Sequence, residues 1–357
     1  MKKIGVLFGM ENTFPGALVD RINSMEVEGI TAEFVQVGGV KMAQPCPYAV
    51  IVDRISHDMP FYRSYLKNAV LTGTAVINNP FWWSADDKFF NYALADKLGV
   101  AVPRTALLPH KLYPPQIGEQ SCRNLEFPID WEAVFDYVKF PAFLKPHDGG
   151  GWRDVYHVHN PTEFFHAYDQ TRDLAMTLQA AVNFNEYFRC YVVGQEDVHI
   201  MPYDPRQPHH LRYVQEPPEY PKELLARVEK DALTLCRALG YDLNTVEFAV
   251  EDGIPYAIDF MNPAPDADRH SVGEANFEWI LDKVSRLAIK KAQMPEPQSK
   301  SFHWSRFLSG GAMDATTKPA AKKAGSTTKA ALETKAIEKR AVKSAGKKSA
   351  KKTNTEA

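Results

Sequence analysis

No run of consecutive apolar residues approaches the roughly 18 that a membrane-spanning helix needs. The opening MKKIGVLFGM passes straight into a strand-like segment without a small-residue cleavage signal. A cytoplasmic protein with no membrane partner is the expectation. Cysteine is scarce, and Cys46, Cys122, Cys190 and Cys236 show no paired spacing, which argues against a disulfide framework and a zinc site alike. They read as reduced thiols. Gly9 lacks a G-x-G-x-x-G continuation, so a dinucleotide fingerprint is not expected at the first strand. Neither a Ser/His/Asp nor a Cys/His arrangement emerges. His199, His209 and His210 have no ligand spacing with any partner and read as loop and surface residues.

What the chain does contain is ordinary for a soluble globular protein: 357 residues, 45% hydrophobic and 24% charged, enough for two or three packed lobes. The net charge of −2 conceals an asymmetry. Residues 314–357 hold 12 Lys/Arg and 4 Asp/Glu, leaving 30 basic and 40 acidic residues in the body, so a body of −10 carries a tail of +8. This Lys/Ala-rich tail has almost no large apolar residue and cannot bury enough surface to fold alone. A transient helix over residues 331–342 fits its helix-favouring composition. Nonspecific nucleic-acid binding through counterion release and a merely solvated tail are equally compatible with it.

Residues 1–80 alternate between strand-like (3–9, 31–37, 48–52, 75–78) and helical (15–25, 60–71) stretches, which implies a parallel sheet. Arg54, just past a strand end, reads either as a surface ion pair or as a ligand for a substrate carboxylate. Ser84 is the predicted N-cap of the next helix, with Asp87 three residues on and Phe90, Leu94 and Leu98 at helical spacing. Lys88 in the first turn sits where the macrodipole favours an anion, a misfit that phosphate would relieve. Residues 109–130, with Pro114, Pro115 and Gly118, form an irregular excursion to which no chemistry is assigned.

The segment FPAFLKPHDGGGWRDVYHVHN predicts a strand ending at Lys145, a glycine run Gly149, Gly150, Gly151, and a strand over 154–159. Successive glycines let backbone N–H groups approach phosphate oxygens without a β-carbon in the way. A helix over 161–171 and a strand over 174–179 follow. Arg189 on a strand over 188–193 and Arg212 on a strand over 211–215 read equally as ion-pair members or anion ligands. Residues 221–239 form an amphipathic helix with Leu224, Leu225, Val228, Ala232 and Leu235 on one face and Gly240 after its end. A last helix spans 271–290, and the fold is expected to end near Leu308.

The chemistry centres on LNTVEFAVEDGIPYAIDFMNPAPD, residues 243–266, read as a β-hairpin. A two-residue Asp-Gly turn would put Glu247 and Asp259 on opposite faces. A three-residue loop pairing Val250 with Ile254 puts them on one face, and is the expectation. Two acids in such apolar strands are costly unless paired or bound to metal, and their oxygens suit Mg²⁺.

At these residues the chain resembles the ATP-grasp superfamily, in the branch of glutathione synthetase, D-alanine:D-alanine ligase and the ribosomal-protein glutamate ligases. The resemblance covers roughly residues 1–292. It implies an α/β (α+β) architecture: a preATP-grasp lobe over 1–80, an ATP-grasp domain over 81–300 with subdomains 81–182 and 183–300 that sandwich ATP, and a disordered tail over 309–357. It also implies Glu247, Asp259 and Asn262 at Mg²⁺, two ions or Mn²⁺ being compatible. Lys88, Lys145, Gly149, Gly150 and Gly151 would contact phosphates, Gln179, Ala180, Ala181 and Val182 adenine, and Glu186 ribose. Arg189 and Arg212, with Lys145, would serve catalysis. One departure is visible: the family has acid-x-Asn, whereas here Asp259-Phe-Met-Asn262 would point Asn262 away in a straight strand, unless a bulge or the bend before Pro263 turns it back. The implied activity is ATP-dependent ligation of a carboxylate to an amine, on an amino acid or peptide, with oligomeric state open. Two alternatives are a nucleotide-binding protein without ligase activity, tethered to nucleic acid by the tail, and another ATP-grasp chemistry through a carboxyphosphate.

Overall fold

The computed structural model describes residues 1–295, which build three four-stranded sheets. The expectations for Leu308, for residues 331–342 and for the tail lie outside the described residues. In the first sheet β1 (Lys2–Leu7), β2 (Ile30–Phe34), β3 (Val50–Asp53) and β4 (Ala75–Ile77) run parallel in the order β2-β1-β3-β4. Both faces are covered at the centre, which is why β3, β4 and the second half of β1 are apolar almost throughout. Ile4, Val6, Val50 and Val52 pack with α1 (Phe14–Ser24) and with the last helix, α9 (Glu274–Gln293). Ile51 and Val76 face α2 (Pro60–Leu71) on the other side.

Two of the expected helices come out differently. The Phe81–Trp83 run winds into a helical turn of its own, α3 (Pro80–Trp83), so Ser84 falls at its C-terminus. Asp87 caps α4 (Lys88–Lys97) instead, its carboxylate accepting from the Phe90 amide at 2.8 Å. Near the other end Gly273, at φ +81°, splits the expected 271–290 helix into α8 (Arg269–Val272) and α9.

The second sheet is antiparallel, in the order β5-β8-β6-β7, from β5 (Thr105–Leu108), β6 (Ala142–Pro146), β7 (Tyr156–Val158) and β8 (Met176–Ala180). Leu108, Leu144, Val158 and Leu178 bury against α5 (Trp131–Val138) and α6 (Pro161–Gln170). Strand alternation then leaves Phe143, Lys145 and Gln179 on the opposite face. The third sheet, also antiparallel, orders β9 (Glu186–Val193), β10 (Asp197–Pro202), β11 (Leu243–Glu251) and β12 (Ile254–Asp259) as β10-β9-β11-β12. Phe188, Cys190, Val246 and Phe248 pack under α7 (Lys222–Leu239), which ends at Gly240 in the left-handed region. Tyr187, Arg189 and Glu247 take the other face.

His199 is a strand residue of β10 and not a loop residue, its ring stacked 4.8 Å from that of Trp279. His209 opens a 3₁₀ turn and His210 is exposed. No strand forms over 211–215; Tyr213 makes a single bridge to Tyr203, and Arg212 lies on a loop. All four cysteines are free thiols. Among the described residues no helix is long and apolar enough to cross a membrane.

Candidate active site

β11 and β12 are joined by Asp252 and Gly253 alone, at φ +52° and +73°, so that Glu251 pairs with Ile254. The turn is therefore the two-residue primed type, not the three-residue loop expected. Carried straight through, its register would set Glu247 against Ile258 and send Asp259 to the other face. A bulge intervenes: Phe248 pairs with Ala257 but Glu247 pairs with Asp259, leaving Ile258 with no residue opposite. The two acids share a face after all, by a different route.

Beyond Asp259 the ladder gives way to side-chain bonds. Buried Asn244 donates to the Phe260 carbonyl at 2.8 Å and accepts from the amides of Thr245 (2.9 Å) and Asn262 (3.1 Å). Asn262 is thereby turned into the same cavity as Glu247 and Asp259, with its Nδ2 on the Thr245 carbonyl at 3.1 Å. Its Oδ1 is the end left for a ligand.

Two lysines, each 8% exposed, meet this hairpin. Lys88 Nζ stands 3.2 Å from Asp259 Oδ2. Lys145 Nζ donates to the Tyr92 hydroxyl at 2.7 Å and to Gln179 Oε1 at 2.8 Å. Burial lowers Lys145 to about 8, against the opposing pull of Asp259 and Glu247. Burial would raise Asp259, but Lys88 and Lys145 outweigh it and hold its carboxyl below the ordinary value. Glu247 accepts from the Tyr187 hydroxyl at 2.5 Å. Arg189, its neighbour across the sheet, approaches it to 3.4 Å without hydrogen-bond alignment while donating to Tyr213 at 3.0 Å.

Lys88, Lys145, Gln179, Tyr187, Arg189 and the two acids line a cavity of about 710 Å³. Of the predicted residues it gathers Lys88, Lys145, Gly149, Gly150, Gly151, Gln179, Ala180, Val182, Arg189, Arg212, Glu247, Asp259 and Asn262. Gly149 and Gly151 are left-handed at φ +80° and +71°, and no atom lies within 4 Å of where a β-carbon would stand on any of the three glycines. Bare backbone thus faces open space, as a phosphate cradle requires. Ala181 and Glu186 are not on the lining. Glu186 alternates with Tyr187 and Arg189, so it shares the Phe188 side of β9, near Tyr220. Arg54 is neither a surface pair nor a cavity residue; it is buried on Glu11 (Nε to Oε2, 2.9 Å) and on the Pro265 carbonyl.

Among the described residues no three His, Cys, Asp or Glu side chains could hold a metal. A cation here would rest on two carboxylates, one amide oxygen and ligands that arrive with it, which is how Mg²⁺ is commonly held beside phosphate. The donor set fits.

By sequence the chain matches no family model and no curated protein. By structure it is similar to D-alanine–D-alanine ligase from Bacillus anthracis complexed with ATP (TM-score 0.56, 16% identity, covering 82% of this chain and 97% of that one). It is also similar to the VanG D-Ala:D-Ser ligase from Enterococcus faecalis (0.58, 14%, 82% and 99%). A Chryseobacterium gregarium RiPP-associated ATP-grasp ligase, in complex with ADP and a leader and core peptide, is a third (0.53, 15%, 84% and 99%). The chain has the ATP-grasp fold. Within that fold, sequence reasoning missed Tyr92, Tyr187 and Asn244. Tyr187 was readable as the period-two partner of Arg189 in EYFRCY, and Tyr92 as the residue one helical turn after Lys88. Nothing local marks Asn244.

Proposed function

We propose that the chain is an ATP- and Mg²⁺-dependent ligase that joins a carboxylate to an amine, acting on an amino acid or peptide. The observation that carries this reading is the pairing of Glu247 with Asp259 on one face, beside Lys88 and Lys145, in one cavity with the glycine loop. Glu247, Asp259 and Asn262 would hold the divalent ion. Lys88, Lys145 and the backbone of Gly149, Gly150 and Gly151 would hold phosphates, and Gln179, Ala180 and Val182, with Phe143, Ala249 and Ile258, would enclose the base. Arg189 and Arg212 would face the acceptor's carboxylate. The division at residues 80 and 182 belongs to the same proposal.

Bound there, ATP supplies the phosphoryl group that turns a carboxylate into an acylphosphate, from which an amine displaces phosphate to leave an amide. The chain's contribution is position and charge. Two lysines and an arginine converge where negative charge is held, and burial strengthens each interaction. No side-chain nucleophile is called for, which suits a cavity lined by none in a catalytic pairing. The D-alanine ligases and the peptide-bound ligase that share the fold support an amino acid or peptide as substrate.

The test is ADP release from ATP and Mg²⁺ over a panel of amino acids and dipeptides, with mass detection of the amide. Release dependent on both an acid and an amine is expected. Nucleotide binding without turnover on any member would leave only a nucleotide-binding protein.

A further inference from the structure

Tyr92 lies one turn after Lys88 on α4 and is buried. Its hydroxyl donates to the Ile258 carbonyl at 2.7 Å and accepts from Lys145 Nζ at 2.7 Å. Its ring lies 5.0 Å from the Lys145 ammonium and meets Phe260 edge-on at 5.7 Å. Both hydroxyl contacts fall on features the site depends on. Ile258 is the extra residue of the bulge, with no residue opposite it on β11. A half-buried carbonyl at such a place needs a donor from elsewhere, and the phenol supplies it. The bulge is in turn what sets Asp259 opposite Glu247. A phenol has one proton to give and lone pairs to receive, so the two bonds are compatible and polarise each other in the same sense. Burial raises the Tyr92 phenol and keeps it protonated.

We infer that Tyr92 is a positioning residue that locks Lys145, on the second sheet, to the bulge of the acid-bearing hairpin in the third. The inference rests on the nucleotide reading of the site. Removing the hydroxyl takes from Lys145 one of its two side-chain bonds and from the Ile258 carbonyl its donor, so phosphate and metal sites weaken as a pair. The other groups facing Lys145 are Gln179 on β8, Asp259 on β12 and Glu247 on β11, with Lys88 on α4 beside Asp259. None of them also bonds Ile258.

The test compares the full chain with Tyr92→Phe and Tyr168→Phe. Tyr168 is a buried tyrosine of α6 whose hydroxyl donates to the Pro109 carbonyl at 2.6 Å, outside the cavity. Two quantities are measured: the labelling rate of Lys145 by an amine-reactive reagent without nucleotide, read by mass spectrometry, and the affinities for Mn²⁺ and for a non-hydrolysable ATP analogue. In Tyr92→Phe labelling should rise severalfold and both affinities fall by about tenfold, the size of a hydrogen bond to a charged group, while Tyr168→Phe matches the native chain. Native-like labelling in Tyr92→Phe, or equal losses in the two variants, would overturn the inference. A native chain that binds no nucleotide would sink the functional reading instead, and the labelling comparison would still decide whether Tyr92 holds Lys145.

Discussion

Lys145 is a buried ammonium facing the cavity proposed to hold phosphates, and burial weakens its hold on its proton. Burial brings it from 10.5 to about 8, so the free chain carries this charge only below about 8. Phosphate favours the charged form and must therefore draw a proton onto Lys145 when it binds near that pH. Analogue affinity should weaken as pH rises through about 8, and Lys145→Met should flatten the profile. Calorimetry in buffers of differing ionisation enthalpy reads the proton directly; a heat independent of buffer would contradict the assignment. Asp259→Asn removes the partner of Lys88 and half the carboxylate charge of the proposed metal set. Mn²⁺ affinity in that variant should fall by more than the roughly 10–100-fold that outer-shell changes cost. Lys88, Lys145, Glu247 and Asp259 were legible because each stands in a local pattern: a cation at a helix start, a Lys-Pro before glycines, acids in apolar strands. Glu186 was misplaced because spacing along the chain gives reach without the phase of the strand. Asn244 acts through tertiary bonds that leave no local pattern to read.

The hairpin shows why elements were easier to find than to register. Helices α2 and α7 begin at proline signals and stand within a residue of their expected ends, since 3.6-residue periodicity and caps are local properties. The turn between β11 and β12 and the bulge at Ile258 are two departures of one residue each, and their effects cancel at Asp259. Sequence alone could place both acids on one face without revealing how. What holds the far end is Asn244, whose amide spans Phe260 and Asn262 where ladder bonds have ended. Asn244→Ala strands a buried carbonyl and two amides, at a cost of roughly 1–3 kcal/mol for each group left unpaired. Urea denaturation should show a loss in that range or above. Mn²⁺ binding should weaken under fully folded conditions, since Asn262 is no longer turned toward the acids. Native Mn²⁺ affinity in a destabilised variant would remove Asn262 from the metal set.

Across the molecule the first and third sheets are bound together by more than packing. Helix α9 lies against both, Arg21 meets Glu278 at 2.6 Å, and Asp268 caps α1 from outside, accepting from the Thr13 amide at 2.9 Å and its hydroxyl at 2.7 Å. Buried Arg54 adds the bond to Pro265. The second sheet is joined differently, through the Lys88 amide on the His147 carbonyl (2.8 Å) and through Lys145 on Tyr92. Its cavity-side loop, residues 147–155, carries Trp152, 62% exposed and left-handed at φ +60°, followed by Arg153 on the cavity lining. A loop with so little burial opens at low free energy. Ligand that binds only its closed form must shift it, by no more than the difference in affinity for the two forms. Trypsin should therefore cut the 153–154 bond in the free chain. A non-hydrolysable ATP analogue with Mg²⁺ should slow that cut severalfold and change Trp152 fluorescence over the same concentration range. Lys145→Met, expected to weaken phosphate binding, should move both responses to higher analogue concentration together. Protection that saturates without a fluorescence change would mean that the analogue shields the bond from elsewhere and leaves the glycine loop where it stands.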